Sequence, residues 1–441
     1  MLRVFKKNFV NTSQSKSKMY LLFKRITFSL LICTVFITGS VYSQDREDYR
    51  DEAIEILESV PLFDGHNDAP YQYRSRVGYK FSELDFHDTT QLENPMHTDI
   101  PRLKEGRVGA QWWSVFVSAN IPENEAVVQT MEQIDFVKRM AKKYPGVFEM
   151  AYTADDVERI FENGKIASLM GMEGGHSIAN SLGVLRQFYD LGARYMTITH
   201  SRTLDWADAS TDDPEHDGLS EFGEEVIREM NRLGMLVDLS HVAKTTMRDA
   251  IEISEAPVMF SHSSARAVCG HVRNVPDEIL PLVKENGGII MVTYVGSYVS
   301  EELRQYIADR EAYERRLEYL YQGEVDLIAE KMKEWREEHE APTSTLNQLA
   351  DHIDHLRDEM GVDYIGIGGD YDGTSILPEG LEDVSTYPDL FAELLKRGYS
   401  EEDLRKIAGL NMLRVMRGAE ETSERLQKER EPSEVLISDF E

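Results

Sequence analysis

Eight short runs rich in Val, Ile, Met and Phe recur along the chain: PLFDGHND, AQWWSVFVS, IASLMGMEGG, ARYMTITHS, GMLVDLSH, PVMFSHSS, GGIIMVTYVG and DYIGIGGDYDG. Such short apolar runs read as strands. Between them lie amphipathic stretches with apolar residues at helical spacing, such as SLGVLRQFYDLG, SEFGEEVIREMNRLG, HVAKTTMRDAIEIS and VPDEILPLVKENG. Several close on a Gly, which suits a helix C-terminus. Eight strands alternating with helices predict an α/β fold, a (β/α)8 barrel of parallel strands. The segment between the seventh and eighth runs is longer than one crossover helix requires and dense in Glu, Arg and Lys. It predicts helices inserted over about 298–348, with a solvated charged face. The expected domain spans 50–420, followed by a charged tail over 421–441.

The N-terminus breaks this pattern. Lys24 and Arg25 precede the apolar run ITFSLLICTVFITGSVYS, and small residues follow it, which is the form of a signal peptide over 1–43. Met19 is an alternative start. The run is short for a membrane span, so cleavage after Ser43 is preferred to an uncut anchor, and bulky Ile32 disfavours a lipid on Cys33. The product is then periplasmic or extracellular. Cleavage leaves Cys269 as the one cysteine, so no internal disulfide can form. The formal charge of −31 becomes −38 without that segment, which holds seven Lys or Arg and no acid. A surface so acidic excludes nucleic acid as a partner.

In parallel barrels the chemistry collects where strands end. Here six of the eight runs end in a metal-ligating type: His66 and Asp68, Glu173, His200, His241, His262, and Asp370 with Asp372. Taken singly, each has a plain structural reading, Asp68 and Asp372 in turns among them. Taken together they share one rim. His66, Asp68, Glu173, His241 and His262 offer three imidazoles and two carboxylates, a donor set for zinc or a similar ion. Five ligands exceed what one tetrahedral ion takes with a position open, but suit two ions about 3.5–4 Å apart if a carboxylate bridges them. Glu173 is the natural bridge. Such a pair lowers the pKa of a bridging water toward 7 and polarises a carbonyl, which predicts hydrolysis. Asp370 or Asp372, not separable by spacing, would carry the proton, and His200 would stabilise the oxyanion. Arg273, shortly after the sixth run, suits a substrate carboxylate; the alternative is a surface pairing with Asp277 or Glu278. His176, His216 and His271 read as loop residues, and His339, His352 and His355 as surface residues of the inserted helices.

These residues stand in the motifs DGHNDAP, MEGGHSI, ITHSRTLDWADAS, VDLSHV, PVMFSHSSARAVC, RNVPDEIL and IGIGGDYDGT. In that order, over roughly 50–420, the sequence closely resembles the membrane (renal-type) dipeptidases, zinc metallopeptidases of the M19 family. The resemblance implies two zinc ions per chain, one held by His66, Asp68 and Glu173 and the other by Glu173, His241 and His262. It implies that His200 contacts substrate rather than metal, that Arg273 holds the dipeptide's C-terminal carboxylate, and that Asp370 rather than Asp372 both touches substrate and handles the proton. The implied partners are small dipeptides, including ones with a C-terminal D-residue, with a homodimer as the candidate assembly and no stable transmembrane anchor. Arg202 and Leu204 and the enlarged insertion depart from the mammalian pattern and leave the preferred substrate open. The rivals are a barrel hydrolase acting on cyclic amides or lactones, and a binding protein that has lost turnover.

Overall fold

The computed structural model describes residues 49–440; the export segment expected over 1–43 lies outside them. All eight predicted runs are strands: β1 (Leu62–Asn67), β2 (Val108–Phe116), β4 (Ile166–Glu173), β5 (Ala193–Thr197), β6 (Leu236–Asp238), β7 (Met259–Phe260), β8 (Ile289–Val292) and β9 (Ile365–Ile367). A ninth, β3 (Phe148–Met150), is too short to show a period. The strands pair in parallel in the order β2-β1-β9-β8-β7-β6-β5-β4, and β4 pairs back to β2, which closes the barrel. β3 takes the first residues of β4, on the edge that β5 occupies further along.

Alternate strand residues fill the interior: Phe63, Ala110 and Trp112, Ala167 and Leu169, Tyr195, Leu236, Met259, and Ile289 with Met291 are all buried in one apolar cluster. β9 contributes Gly366, where a Cβ would press on Ile289 and Met291. The outer helices are set by capping chemistry that the sequence carries. Ser220 accepts the N–H of Gly223 at the start of helix Glu221–Leu233, and Gly234 closes it at φ 82°, a conformation that favours glycine.

Between β8 and β9 a single helical turn, Gly296–Val299, leads into three longer helices: Glu301–Leu320, Val325–Glu338 and Leu346–Met360. The first two of these three pack on each other around Trp335, which meets Tyr306, Tyr313 and His339. The third is the barrel's own crossover helix and buries Leu349, Ile353 and Leu356. The surface reading therefore fails for His352, which is fully buried. It lies on the inner face of that helix because its ring finds backbone partners on both sides. His355 pairs with Asp277 at 2.9 Å and His339 stacks on Trp335. Residues 421–429 continue helix Asn411–Glu429, with Ser423 and Leu426 buried. Among the described residues no helix is long and apolar enough to cross a membrane.

The barrel interior has one approach without slack. A Cβ on Gly171 would lie 1.9 Å from the Tyr195 ring, whose hydroxyl meets His66 Nδ1 at 2.9 Å. Gly171→Ala is expected to cost about 1–3 kcal/mol by overpacking. Denaturant unfolding checks it; an unchanged midpoint would contradict the close approach.

Candidate active site

The polar strand ends converge at one mouth of the barrel. Glu173 ends β4 and presents its two oxygens to different partners. Oε2 lies 3.3 Å from His66 Nε2, while Oε1 lies 3.0 Å from His241 Nε2 and 3.7 Å from both His262 Nε2 and His200 Nε2. Asp68 Oδ2 is 3.3 Å from His66 Nε2. The donor atoms fall into three overlapping clusters, each within 4.8 Å: His66, Glu173 and His262; Glu173, His200 and His241; His66, Asp68 and Asp370.

The backbone is bent to deliver these groups. His241, Asp370 and Asp372 all hold positive φ, at 71°, 57° and 67°. Non-glycine residues pay for that conformation, and it collects at functional sites. The turn separates the two aspartates that spacing left equivalent. Asp370 joins His66 and Asp68, whereas Asp372 turns away and accepts the backbone N–H of His97 at 2.8 Å. They do not share a face because neither belongs to a strand. Gly373 keeps this corner open, since a Cβ there would lie 2.2 Å from Asp370 Oδ1 and 2.3 Å from Asp68 Oδ2.

Electrostatics follow from crowding these groups away from water. Burial pushes the Asp370 carboxyl well above the usual range; His66 and Arg273 oppose the shift, while Asp68 and Glu173 add to it. Glu173 is held well below its usual value against burial, chiefly by His66, His241 and His200. Burial lowers His241, His262 and His200. His66 is the exception: against burial, Tyr195, Glu173 and Asp68 raise it well above the ordinary imidazole value. The two carboxylates thus draw positive charge to the point where His66 Nε2 and Asp68 Oδ1 are buried without a hydrogen-bond partner. Orphaned imidazole and carboxylate atoms within one cluster, with no thiolate among them, fit a borderline divalent cation.

Around them stands a set of residues outside the ligand-type list, two of which, Thr197 and Asp238, close β5 and β6. Ser114 donates to Glu173 Oε2 at 3.1 Å from β2, a strand with no acid or His at its end. Asp238 accepts the N–H groups of Ser261 and Ser240 at 2.8 and 3.1 Å, and the hydroxyls of Thr197 and Ser261 at 2.5 and 2.6 Å. With its one proton given to Asp238, the Ser261 hydroxyl accepts from His262 Nδ1 at 2.7 Å. That hydrogen bond leaves the His262 Nε2 lone pair free toward the centre. The His200 ring packs, tilted, against Phe116 and His241, with centroids 4.8 and 4.3 Å away.

Arg273 is buried, not on the surface. Asp277 pairs with His355 and Glu278 with Lys244, and among the described residues no carboxylate lies within 4 Å of the Arg273 guanidinium. It reaches Ser263 Oγ at 3.4 Å and the His262 carbonyl at 3.3 Å, and lies 5.5 Å from the ring centre of Tyr298. Tyr298 follows β8, the other strand without a polar end. Of the three loop histidines, His176 is buried against the Val117 carbonyl, His216 bonds the Leu204 carbonyl, and His271 packs on Tyr298; none joins the cluster.

The family model described as membrane dipeptidase (peptidase family M19) matches residues 50–430. Dipeptidase 3 of Rattus norvegicus is 39% identical over 381 residues, covering 85% of this chain and 68% of the relative. The crystal structure of the probable dipeptidase PvdM from Pseudomonas aeruginosa has a similar fold, with a TM-score of 0.74 at 24% identity over 85% of this chain and 99% of that one. So does a metallopeptidase from Rhodobacter sphaeroides liganded with a phosphinate mimic of the dipeptide L-Ala-D-Ala, with a TM-score of 0.67 at 24% identity over 82% of this chain and 99% of that one. The barrel, the ligand-bearing rim and these matches together establish that the chain belongs to the membrane dipeptidase family, peptidase family M19, and is a metallopeptidase that hydrolyses dipeptides.

Proposed function

We propose that this protein is an exported dipeptidase with two zinc ions, one held by His66, Asp68 and Glu173 and the other by Glu173, His241 and His262. The observation that carries this reading is the division of Glu173: one oxygen faces His66, the other lies nearest His241, with His262 farther off. Zinc bound there supplies Lewis acidity toward a peptide carbonyl and acidifies a water. The remaining work falls to the chain. Asp370, made more basic by burial, would as the carboxylate take the water's proton and then give it to the departing amine. His200 Nε2, at the edge of the cluster, donates to the oxygen that gains charge as the carbonyl is attacked. Arg273, a buried cation without a carboxylate, clamps the C-terminal carboxylate of the dipeptide.

Export rests on the basic, apolar, small-residue order of residues 1–43. The L-Ala-D-Ala mimic on the Rhodobacter sphaeroides relative supports acceptance of a D-residue on the C-terminal side.

Asp370→Asn is expected to keep bound metal and lower kcat by about 10²–10⁴-fold; near-normal turnover would remove the proton-transfer role. Arg273→Ala should raise KM for dipeptides with a free carboxylate by roughly 10–100-fold, the worth of a charged hydrogen bond. An equal rise on C-terminally amidated dipeptides would refute the clamp. Ser261→Ala frees the His262 tautomer and should weaken one metal by about 10–100-fold in chelator competition. Unchanged affinity would show that the Asp238–Ser261 relay is dispensable.

A further inference from the structure

His352 lies on the crossover helix Leu346–Met360, away from the metal cluster, and takes no part in the chemistry described so far. It is wholly buried. A polar ring in that position costs free energy unless both nitrogens are bonded, and an apolar residue would serve for packing alone. Both nitrogens are bonded, and neither partner belongs to the helix. Nδ1 accepts the N–H of Ala265 at 3.1 Å, and Nε2 donates to the carbonyl of Val299 at 3.0 Å.

The two partners lie on the two segments that form the pocket around Arg273. Ala265 opens the turn 265–275, which carries Arg273. Val299 follows Tyr298, whose ring lies beside the guanidinium. Asn274 makes a second tie between the same segments, donating to the carbonyls of Cys269 at 2.9 Å and Tyr298 at 2.8 Å while accepting the N–H of Ser264 at 3.2 Å.

We propose that His352 is a positioning residue: it fixes the substrate-carboxylate pocket by tying the segment that carries Arg273 to the segment that carries Tyr298. The tie needs one acceptor and one donor in fixed order, so it requires the neutral ring with its proton on Nε2. Burial pushes the His352 pKa down to about 4, which keeps the ring in that form at neutral pH. A glutamine can mimic it, with an amide oxygen for Ala265 and an amide N–H for Val299, whereas phenylalanine keeps the volume and loses both bonds. This inference rests on the reading of Arg273 as the carboxylate clamp.

The test compares His352→Phe, His352→Gln and Arg273→Ala on one dipeptide with a free and with an amidated C-terminus, alongside bound metal and unfolding midpoint. His352→Phe should raise KM for the free dipeptide by roughly three- to tenfold, the worth of one or two neutral hydrogen bonds passed on as misplacement. Its kcat and metal content should stay near wild type, KM for the amide should hardly move, and His352→Gln should restore KM. Should the Phe variant fold poorly, His352→Asn, whose shorter amide reaches one partner only, is expected to give an intermediate KM with the same free-versus-amide difference. A folded, metal-loaded Phe or Asn variant with wild-type KM overturns the proposal, as does an equal rise on both substrates. If Arg273→Ala itself fails to discriminate free from amidated substrate, the clamp reading falls and this one with it. If Arg273→Ala discriminates and the His352 variants do not, only the positioning role falls.

Discussion

Everything at the barrel mouth depends on one carboxylate in a place that water scarcely reaches. Glu173 is buried among four imidazoles, and its two oxygens look in different directions. An ionised carboxylate out of water needs compensating positive charge, and the groups around it are ligands rather than permanent cations. Three imidazoles that burial holds toward the neutral form, with His66 alone drawn toward its charged one, face acids at Asp68 and Asp370 as well as Glu173, in a site that is polar and crowded. The proposed pair of divalent ions would satisfy these groups at once.

The barrel makes that crowding affordable by fixing the groups before any ion arrives. Tyr195, seated over Gly171, meets His66 from below, and Asp238 with Ser261 sets the ring of His262. Ser114 steadies Glu173 from the neighbouring strand. Arg273 is held by the His262 carbonyl, the Ser263 hydroxyl and the Tyr298 face, with no acid within 4 Å among the described residues, so its charge would be available to an incoming carboxylate. The metal side and the carboxylate side meet at His262, whose carbonyl accepts from Arg273 while its ring faces Glu173.

The sequence makes the barrel legible because its eight main strands are almost wholly buried and so read as short runs rich in Val, Ile, Met and Phe. The ligand-type residues were legible for a related reason: closure of the barrel brings its strand ends to one rim, so a list of strand ends is close to a list of neighbours. What stayed hidden depends on local turns and long-range packing. β3 has three residues and no period. Asp370 and Asp372 look alike by spacing because their left-handed backbone, which sends one to the cluster and the other to His97, leaves no periodic trace. His352 read as a surface residue because charge density marked the whole segment as solvated, although its last helix is the one that covers the barrel. Arg273 showed its acidic neighbours Asp277 and Glu278 in sequence, but not that His355 and Lys244 take them.

The central claim is that Glu173 joins two metal sites. Elemental analysis of the mature protein and of Glu173→Gln, each dialysed against the same buffered zinc, tests it most directly. The account predicts about two zinc ions per wild-type chain, and weakened binding of both in the variant, because each loses a shared ligand. One ion per wild-type chain, or a variant that loses one ion and binds the other with unchanged affinity, would contradict it.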